Sequence, residues 1–327
     1  MENVVLLADE NSKVWDFTKK IQKYIQERYL TNTEVYNLPI SYFRNKEIRF
    51  DSTGNLRKKD VYLIQDSSKN PQDWWVELLL AKDMINSSSA TSLSLILPNM
   101  LYSRQDRKDR PRVPLSARAL ANSISPGTNR IITMDLHAPQ IQGFYPATTP
   151  LDNLFSSPEV VRYLKENHSS FIENLLILSP DAGGVTRASA FLKKFQEHFP
   201  DNQNFDIAFA IKERPKPGEV SDNIRYVGPS PKGKNVLIVD DILDSGGTLI
   251  RSSDKVKKEG AIKVAAYCTH GLFTKGLDGL KNSLEYILIS NTHCQELEGV
   301  EVIDVSSVFG EAIFRSQEGK SISELFK

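Results

Sequence analysis

Short unbroken apolar runs alternate with longer amphipathic stretches from one end of the chain to the other. The runs are Val4–Leu7, Val61–Ile64, Leu93–Leu97, Ile131–Met134, Leu175–Leu178, Ile207–Ile211, Val236–Val239, Val264–Tyr267, Tyr286–Ile289 and Val302–Val305. They are rich in β-branched residues and lack in–out alternation, the pattern of strands buried on both faces. The amphipathic stretches 12–29, 74–86, 115–124, 158–167, 185–198, 249–259 and 307–316 predict helices. Regular strand–helix alternation predicts an α/β fold of mostly parallel sheets flanked by helices. Ligands of such folds bind where strands end and helices begin. The polar residues just past each run are therefore the ones to weigh. The pattern breaks at residues 148–158, Thr-Thr-Pro-Leu-Asp-Asn-Leu-Phe-Ser-Ser-Pro, and that break predicts a domain boundary. A length of 327 residues fits two domains of about 150 residues each.

The most informative run is Val236-Leu-Ile-Val-Asp-Asp-Ile-Leu-Asp-Ser-Gly-Gly-Thr248. A buried strand leads into two carboxylates, Asp240 and Asp241, expected where the strand ends. Ser245, Gly246 and Gly247 form a turn, and Thr248 is placed to open a helix. Backbone N–H groups at a helix start cradle phosphate, glycines let that backbone come close, and carboxylates accept hydrogen bonds from ribose hydroxyls. The layout suits a phosphorylated sugar. A plain buried strand with a capped polar turn is the bland alternative.

A second strand–loop–helix site reads Leu178-Ser-Pro-Asp-Ala-Gly-Gly-Val-Thr-Arg187. Its Gly183 and Gly184 amides are candidates to face an anion, and Asp181 is a candidate to hold a metal that neutralises it. A structural turn explains the same residues. In Ile131-Ile-Thr-Met-Asp-Leu-His137, Asp135 and His137 would share a face on a strand. His137 has three candidate roles: cation ligand, donor to phosphate, or partner of a core carboxylate. Imidazole is an unusual ligand for a hard ion such as Mg²⁺.

Residues 101–112 hold five basic and two acidic side chains, including Arg104, Asp106 and Arg107. A solvated loop, a nucleic-acid patch and a polyphosphate clamp are the three readings. Lys+Arg and Asp+Glu both number 41, and zero net charge disfavours nucleic acid. Arginine's planar fork suits phosphate. Lys212 and Arg214 follow another candidate strand and are candidates to meet charge that develops during phosphoryl-type transfer. Gly228-Pro-Ser-Pro-Lys-Gly-Lys234 nearly matches a nucleotide-binding P-loop, but Asn235 follows where Ser or Thr is needed and the segment precedes its strand. It is expected to be a surface turn.

Composition narrows the class. Hydrophobic residues are 40% and charged residues 25%, an ordinary globular mix. No apolar run approaches the ~20 residues that cross a membrane, and the N-terminal stretch shows no signal-peptide pattern. Two cysteines, Cys268 and Cys294, fit a reducing compartment. The expectation is a cytoplasmic protein without nucleic-acid or membrane partners.

Together the motifs resemble the ribose-phosphate diphosphokinase (PRPP synthetase) family across essentially the whole chain. The resemblance rests on Tyr102-Ser-Arg-Gln-Asp-Arg-Lys, Asp135-Leu-His-Ala-Pro-Gln-Ile-Gln-Gly-Phe, Ser179-Pro-Asp-Ala-Gly-Gly-Val-Thr-Arg-Ala and Val239-Asp-Asp-Ile-Leu-Asp-Ser-Gly-Gly-Thr. It implies two phosphoribosyltransferase-like domains, 1–153 and 154–327. It also implies transfer of the β,γ-diphosphoryl group of Mg-ATP to ribose 5-phosphate, giving PRPP and AMP, with Mg²⁺ as cofactor and a homodimer or hexamer as assembly. By position it makes Phe43, Asn45, Glu47, Arg104, Gln105, Asp106 and His137 ATP-binding, and His137 and Asp181 metal-binding. Asp181, Ala182, Gly183 and Gly184 become the diphosphate loop, and Lys212 and Arg214 the catalytic pair. Asp240, Asp241, Asp244, Ser245, Gly246, Gly247 and Thr248 become the ribose 5-phosphate site. The family's adenine-binding segment, usually Phe-Ser-Asp-Gly-Glu, reads Phe43-Arg-Asn-Lys-Glu47 here, with an amide for the carboxylate and lysine for glycine. A non-catalytic synthetase-like regulator and a PRPP-using phosphoribosyltransferase are the competing readings.

Overall fold

The computed structural model describes residues 1, 3–51, 53–202, 204–212, 224–293 and 297–326, with Lys212 and Ile224 described in their backbone only. It divides into two compact units. The first comprises Met1–Phe155, Asn291–Gln295 and Val305–Lys327, and the second Ser156–Ser290 and Glu296–Asp304.

The first unit runs β1 (Val4–Ala8), α1 (Val14–Tyr29), β2 (Glu34–Asn37), β3 (Ile40–Tyr42), β4 (Ile48–Phe50), β5 (Asp60–Ile64), α2 (Pro71–Ser87), β6 (Ser92–Leu97), α3 (Ser116–Ile124), β7 (Arg130–Met134) and β8 (Leu151–Leu154). Its six-stranded sheet has the order β2-β1-β5-β6-β7-β8, with every pairing parallel. β3 and β4 form a separate antiparallel hairpin. Apolar residues occupy both faces. Val5, Leu7, Val61 and Leu63 pack under α2 and α3, while Val4, Leu6, Tyr62 and Ile64 pack under α1. Burial on both faces is why these runs show no alternation.

The second unit contains α4 (Ser157–Asn167), β9 (Leu175–Ser179), α5 (Val185–His198), β10 (Phe205–Lys212), β11 (Ile224–Val227), β12 (Asn235–Leu243), α6 (Gly247–Lys258), β13 (Val264–Gly271), α7 (Asp278–Ser283), β14 (Tyr286–Ser290) and β15 (Glu301–Ile303). The sheet order is β11-β10-β9-β12-β13-β14-β15. Only the β10–β11 pairing is antiparallel. Leu175, Ile177, Leu237 and Val239 pack under α4 and α5, and Leu176, Leu178, Val236 and Ile238 under α6 and α7.

The final helix, α8 (Ser306–Gln317), corrects the expected cut at 153/154. It lies in the first unit, where Phe309, Ala312 and Ile313 join Phe17, Ile21 and Ile25 of α1 in one buried cluster. Phe17 meets Phe309 edge-on at 5.4 Å, and Tyr24 donates to Glu311 at 2.8 Å. The apolar face of α1 needs a cover, and no local segment supplies it. The break at 148–158 also contains an element, since Leu151–Leu154 pairs with β7 as the edge strand β8. Trp74 is fully buried, while Trp75 donates to Ser123 Oγ at 2.9 Å. Gly228–Lys234 is a largely exposed turn before β12, as expected.

Candidate active site

β9 and β12 are neighbours, and the chain leaves them in opposite directions. β9 continues through α5 to β10 on one side, and β12 through α6 to β13 on the other. That is a topological switch point, where open α/β sheets form their ligand crevice. Pairing between β12 and β9 stops at Ile238↔Leu178. Pairing between β12 and β13 continues to Leu243↔Gly271.

This asymmetry corrects the expected end of the strand. Asp240 and Asp241 lie inside β12, held in the ladder by β13 after β9 has turned away, and they border the opening crevice. The Asp241 N–H donates to Asp240 Oδ1 at 2.9 Å. Burial, then the adjacent Asp241 carboxylate, push the Asp240 carboxyl up to about 8, while Arg187 pulls the other way. Arg187, in the first turn of α5, places Nη1 3.5 Å from Asp240 Oδ1 and 3.3 Å from Asp241 Oδ1. Sequence reasoning gave Arg187 no role, because nothing local says which loop it faces.

Past β12, Gly246 rather than Thr248 caps α6. Its φ of +75° lies in the left-handed region open chiefly to glycine. Thr248 is consequently the second helical residue, and helix starts offer backbone amides without intrahelical partners, which suit a phosphate. Ser245 is exposed. Asp244 is braced from the loop after β13, accepting from Thr274 Oγ1 at 2.6 Å.

The other loop opens from β9. Asp181 Oδ1 accepts the N–H groups of Gly183 at 2.9 Å and Gly184 at 3.1 Å. The amides expected to face an anion are thus engaged by their own loop's carboxylate, and an incoming phosphate would have to displace it. Gly184 is packed tightly: a Cβ there would lie 2.6 Å from Ser179 Oγ. Ala182 is exposed beside it.

The remaining described candidates lie in the first unit. Arg104, Gln105 and Asp106 follow β6, and His137 follows the paired strand β7. A hydrogen bond from Gln140 to Asp106 ties the two loops. β7 ends at Met134, and Asp135 turns with φ +43°, so strand alternation does not align Asp135 with His137. Phe43, Asn45 and Glu47 sit at the exposed tip of the β3–β4 hairpin. The Arg49 guanidinium lies 5.7 Å from the Phe43 ring centre, and Asn45 Oδ1 accepts the Glu47 N–H at 3.2 Å. Lys46 has φ +68°, which explains why the family pattern has glycine at this place. Arg214 lies outside the described residues, and Lys212 closes β10.

His137 and Asp181 fall in different units. Among the described residues no cluster of three or more His, Cys, Asp or Glu side chains is arranged to hold a metal. Asp181 nonetheless fits a hard cation: it is a carboxylate, and only its Oδ1 is engaged in hydrogen bonds among the described residues. Mg²⁺ commonly takes one or two carboxylates and completes its shell with water and substrate phosphates.

The comparisons agree with this geometry. Residues 7–126 match the N-terminal domain of ribose phosphate pyrophosphokinase, and residues 151–295 match the phosphoribosyl transferase domain. The ribose-phosphate pyrophosphokinase of Rhizobium meliloti (strain 1021) is 38% identical over 303 residues, covering 89% of this chain and 93% of that one. The chain belongs to the ribose-phosphate pyrophosphokinase family. The enzyme of the same name from Agrobacterium fabrum is 36% identical over 307 residues, covering 91% of this chain and 94% of its own. Phosphoribosylpyrophosphate synthetase from Mycobacterium smegmatis superposes with a TM-score of 0.82 at 25% identity, covering 97% of this chain and 99% of its own. The fold, two mostly parallel sheets flanked by helices, is the family's.

Proposed function

We propose that this chain transfers the β,γ-diphosphoryl group of ATP to the anomeric hydroxyl of ribose 5-phosphate, giving PRPP and AMP. The observation that carries the reading is the switch point of the second unit. There a glycine loop, an acidic pair and the start of α6 converge at the ends of two adjacent strands. The α6 amides with Asp244, Ser245, Gly246, Gly247 and Thr248 hold the 5-phosphate. Asp240 and Asp241 accept hydrogen bonds from the ribose hydroxyls. The anomeric hydroxyl gives up its proton to solvent as its oxygen attacks the β-phosphorus and forms one O–P bond. The bond from that phosphorus to the bridging oxygen breaks, and the oxygen leaves with AMP.

Phe43, Asn45, Glu47, Arg104, Gln105, Asp106 and His137 are proposed to hold the nucleotide. Lys212 and Arg214 are proposed to meet the charge on the transferring group. Bound Mg²⁺ would neutralise charge on the polyphosphate, with Asp181 as a proposed contact in the second unit and His137 as a separate proposed contact in the first. Asp181 suits a hard cation by chemistry; His137 rests on the family resemblance.

We also propose a homodimer or hexamer. Val76, Leu79 and Leu80 are exposed on α2, an apolar stripe that a second copy would cover; light scattering after size-exclusion chromatography tests it. A cytoplasmic location is proposed too. No helix among the described residues is long and apolar enough to cross a membrane. The deciding assay combines the protein with Mg²⁺, ATP and ribose 5-phosphate. AMP with PRPP and no ADP is expected. No product with ATP, GTP or CTP, with or without phosphate, would favour a regulatory subunit.

A further inference from the structure

We propose that Arg187 is a positioning residue: it ties the 181–184 loop to the Asp240–Asp241 pair and keeps both carboxylates aimed at the ribose. This rests on the reading of the second unit as the ribose 5-phosphate site.

Three observations carry it. First, one guanidinium nitrogen contacts both carboxylates, at 3.5 and 3.3 Å, from a helix that belongs to the other loop. Second, the same nitrogen lies 3.7 Å from where a Gly184 Cβ would stand. The guanidinium therefore lies beside the loop, with little room for a side chain between them, while it contacts the carboxylates on the other side of the crevice. Third, the Arg187 side chain is only 14% exposed, so its charge is committed inward and is poorly placed to reach out as a clamp on substrate. The need for an internal cation is physical. β13 is buried along its whole length, and Asp240 is paired in register with Cys268 of that strand. Two adjacent carboxylates beside a buried strand repel each other and are poorly solvated. Without a cation between them the two side chains would turn away from each other, and their oxygens would no longer be held where the ribose hydroxyls need acceptors.

The test compares wild type with Arg187→Met and Arg187→Lys. Ribose 5-phosphate and ATP binding are each followed by calorimetry, KM and kcat by steady-state assay, and folding by thermal unfolding. Arg187→Met is expected to weaken ribose 5-phosphate binding at least tenfold while ATP binding stays within twofold. Arg187→Lys, which keeps the charge, is expected to recover most of the loss. Unchanged ribose 5-phosphate binding in a folded Arg187→Met protein overturns the assignment. So does an equal loss for both ligands, which would mark a merely structural residue. If Arg187→Met does not fold, Arg187→Gln takes its place: a loss confined to ribose 5-phosphate supports the role, and an equal or absent loss overturns it. Wild type that binds no ribose 5-phosphate and forms no AMP defeats the functional reading and this assignment together. An active wild type with an indifferent variant defeats only the assignment.

Discussion

The two sheets share one design and use it differently. Ignoring the added edge strand β11, the orders β2-β1-β5-β6-β7-β8 and β10-β9-β12-β13-β14-β15 have the same connectivity. Each sheet therefore has a switch point, between β1 and β5 in the first unit and between β9 and β12 in the second. In the second unit it is lined by a glycine loop, an acidic pair and a helix start. In the first unit it is filled by its own side chains. Lys69 Nζ lies 3.1 Å from Asp9 and 2.8 Å from the buried Glu77. Asp66 accepts the N–H groups of Lys13 and Ser68. Ser67 Oγ lies 3.1 Å from Nδ1 of the buried His293. Topology offers a crevice, and side chains decide whether it stays open to a ligand.

The sharpest test of this contrast is Lys69→Met. It strands Glu77 and Asp9, and a broken buried ion pair costs about 3 kcal/mol or more. Chemical denaturation should show that loss while kcat under stable conditions stays near wild type. A loss under about 1 kcal/mol would mean the pair does not close the first unit's crevice.

His293 provides a pH test of nearly the same size. Burial, with a smaller push from Lys13 and an opposing pull from Asp66, lowers its imidazole to about 4, against about 6.5 in an unfolded chain. Below pH 6.5 the unfolded chain takes up a proton that the folded chain refuses. Stability should therefore fall as pH drops from 6.5 towards 4, by up to about 3 kcal/mol. His293→Gln should flatten that part of the curve in urea unfolding at stepped pH, and an unchanged slope would contradict the burial argument.

Asp241→Asn and Asp66→Asn set the two units side by side, since each carboxylate follows the core of the third strand of its sheet. Asp241→Asn is expected to lower kcat/KM for ribose 5-phosphate by roughly 10- to 100-fold, the worth of a lost hydrogen bond to a charged group. Asp66→Asn should spare kcat/KM and lower stability. Comparable kinetic losses would end the distinction.

The smallest effect is expected at the β3–β4 hairpin, which occupies the same place in the first unit as the β10–β12 connection in the second. Lys46→Gly should raise stability by about 1 kcal/mol by relieving its left-handed backbone. A thermal shift in the opposite direction would show that the lysine side chain contributes more than its backbone costs.

Much of the fold was legible because burial on both faces leaves a dense apolar signature. All ten expected strands and seven expected helices are present, with shifted ends. The missed elements are short or half-exposed: β2, β3 and β4 have no fully buried residue, and α7 has six residues. β8, Leu-Asp-Asn-Leu, resembles linker because only its end residues are buried. The likeness of the two units was legible only through the family resemblance, because their loops differ: Ser179-Pro-Asp-Ala-Gly-Gly184 follows the core of β9, and Asp9-Glu-Asn-Ser12 follows β1.

By itself the sequence determined the element types and the two glycine-bearing loops, since hydrophobic period and turn chemistry are local properties. It also contained the candidate carboxylates around Asp240 and Asp181. Tertiary structure alone decided that β9 and β12 are neighbours, that Asp240 and Asp241 stay inside a strand held by β13, and that Arg187 meets both. It also decided that Lys69 closes the first crevice and that α8 returns to the first unit. Each of these depends on which surfaces meet across long sequence separations, and no local pattern encodes the partner.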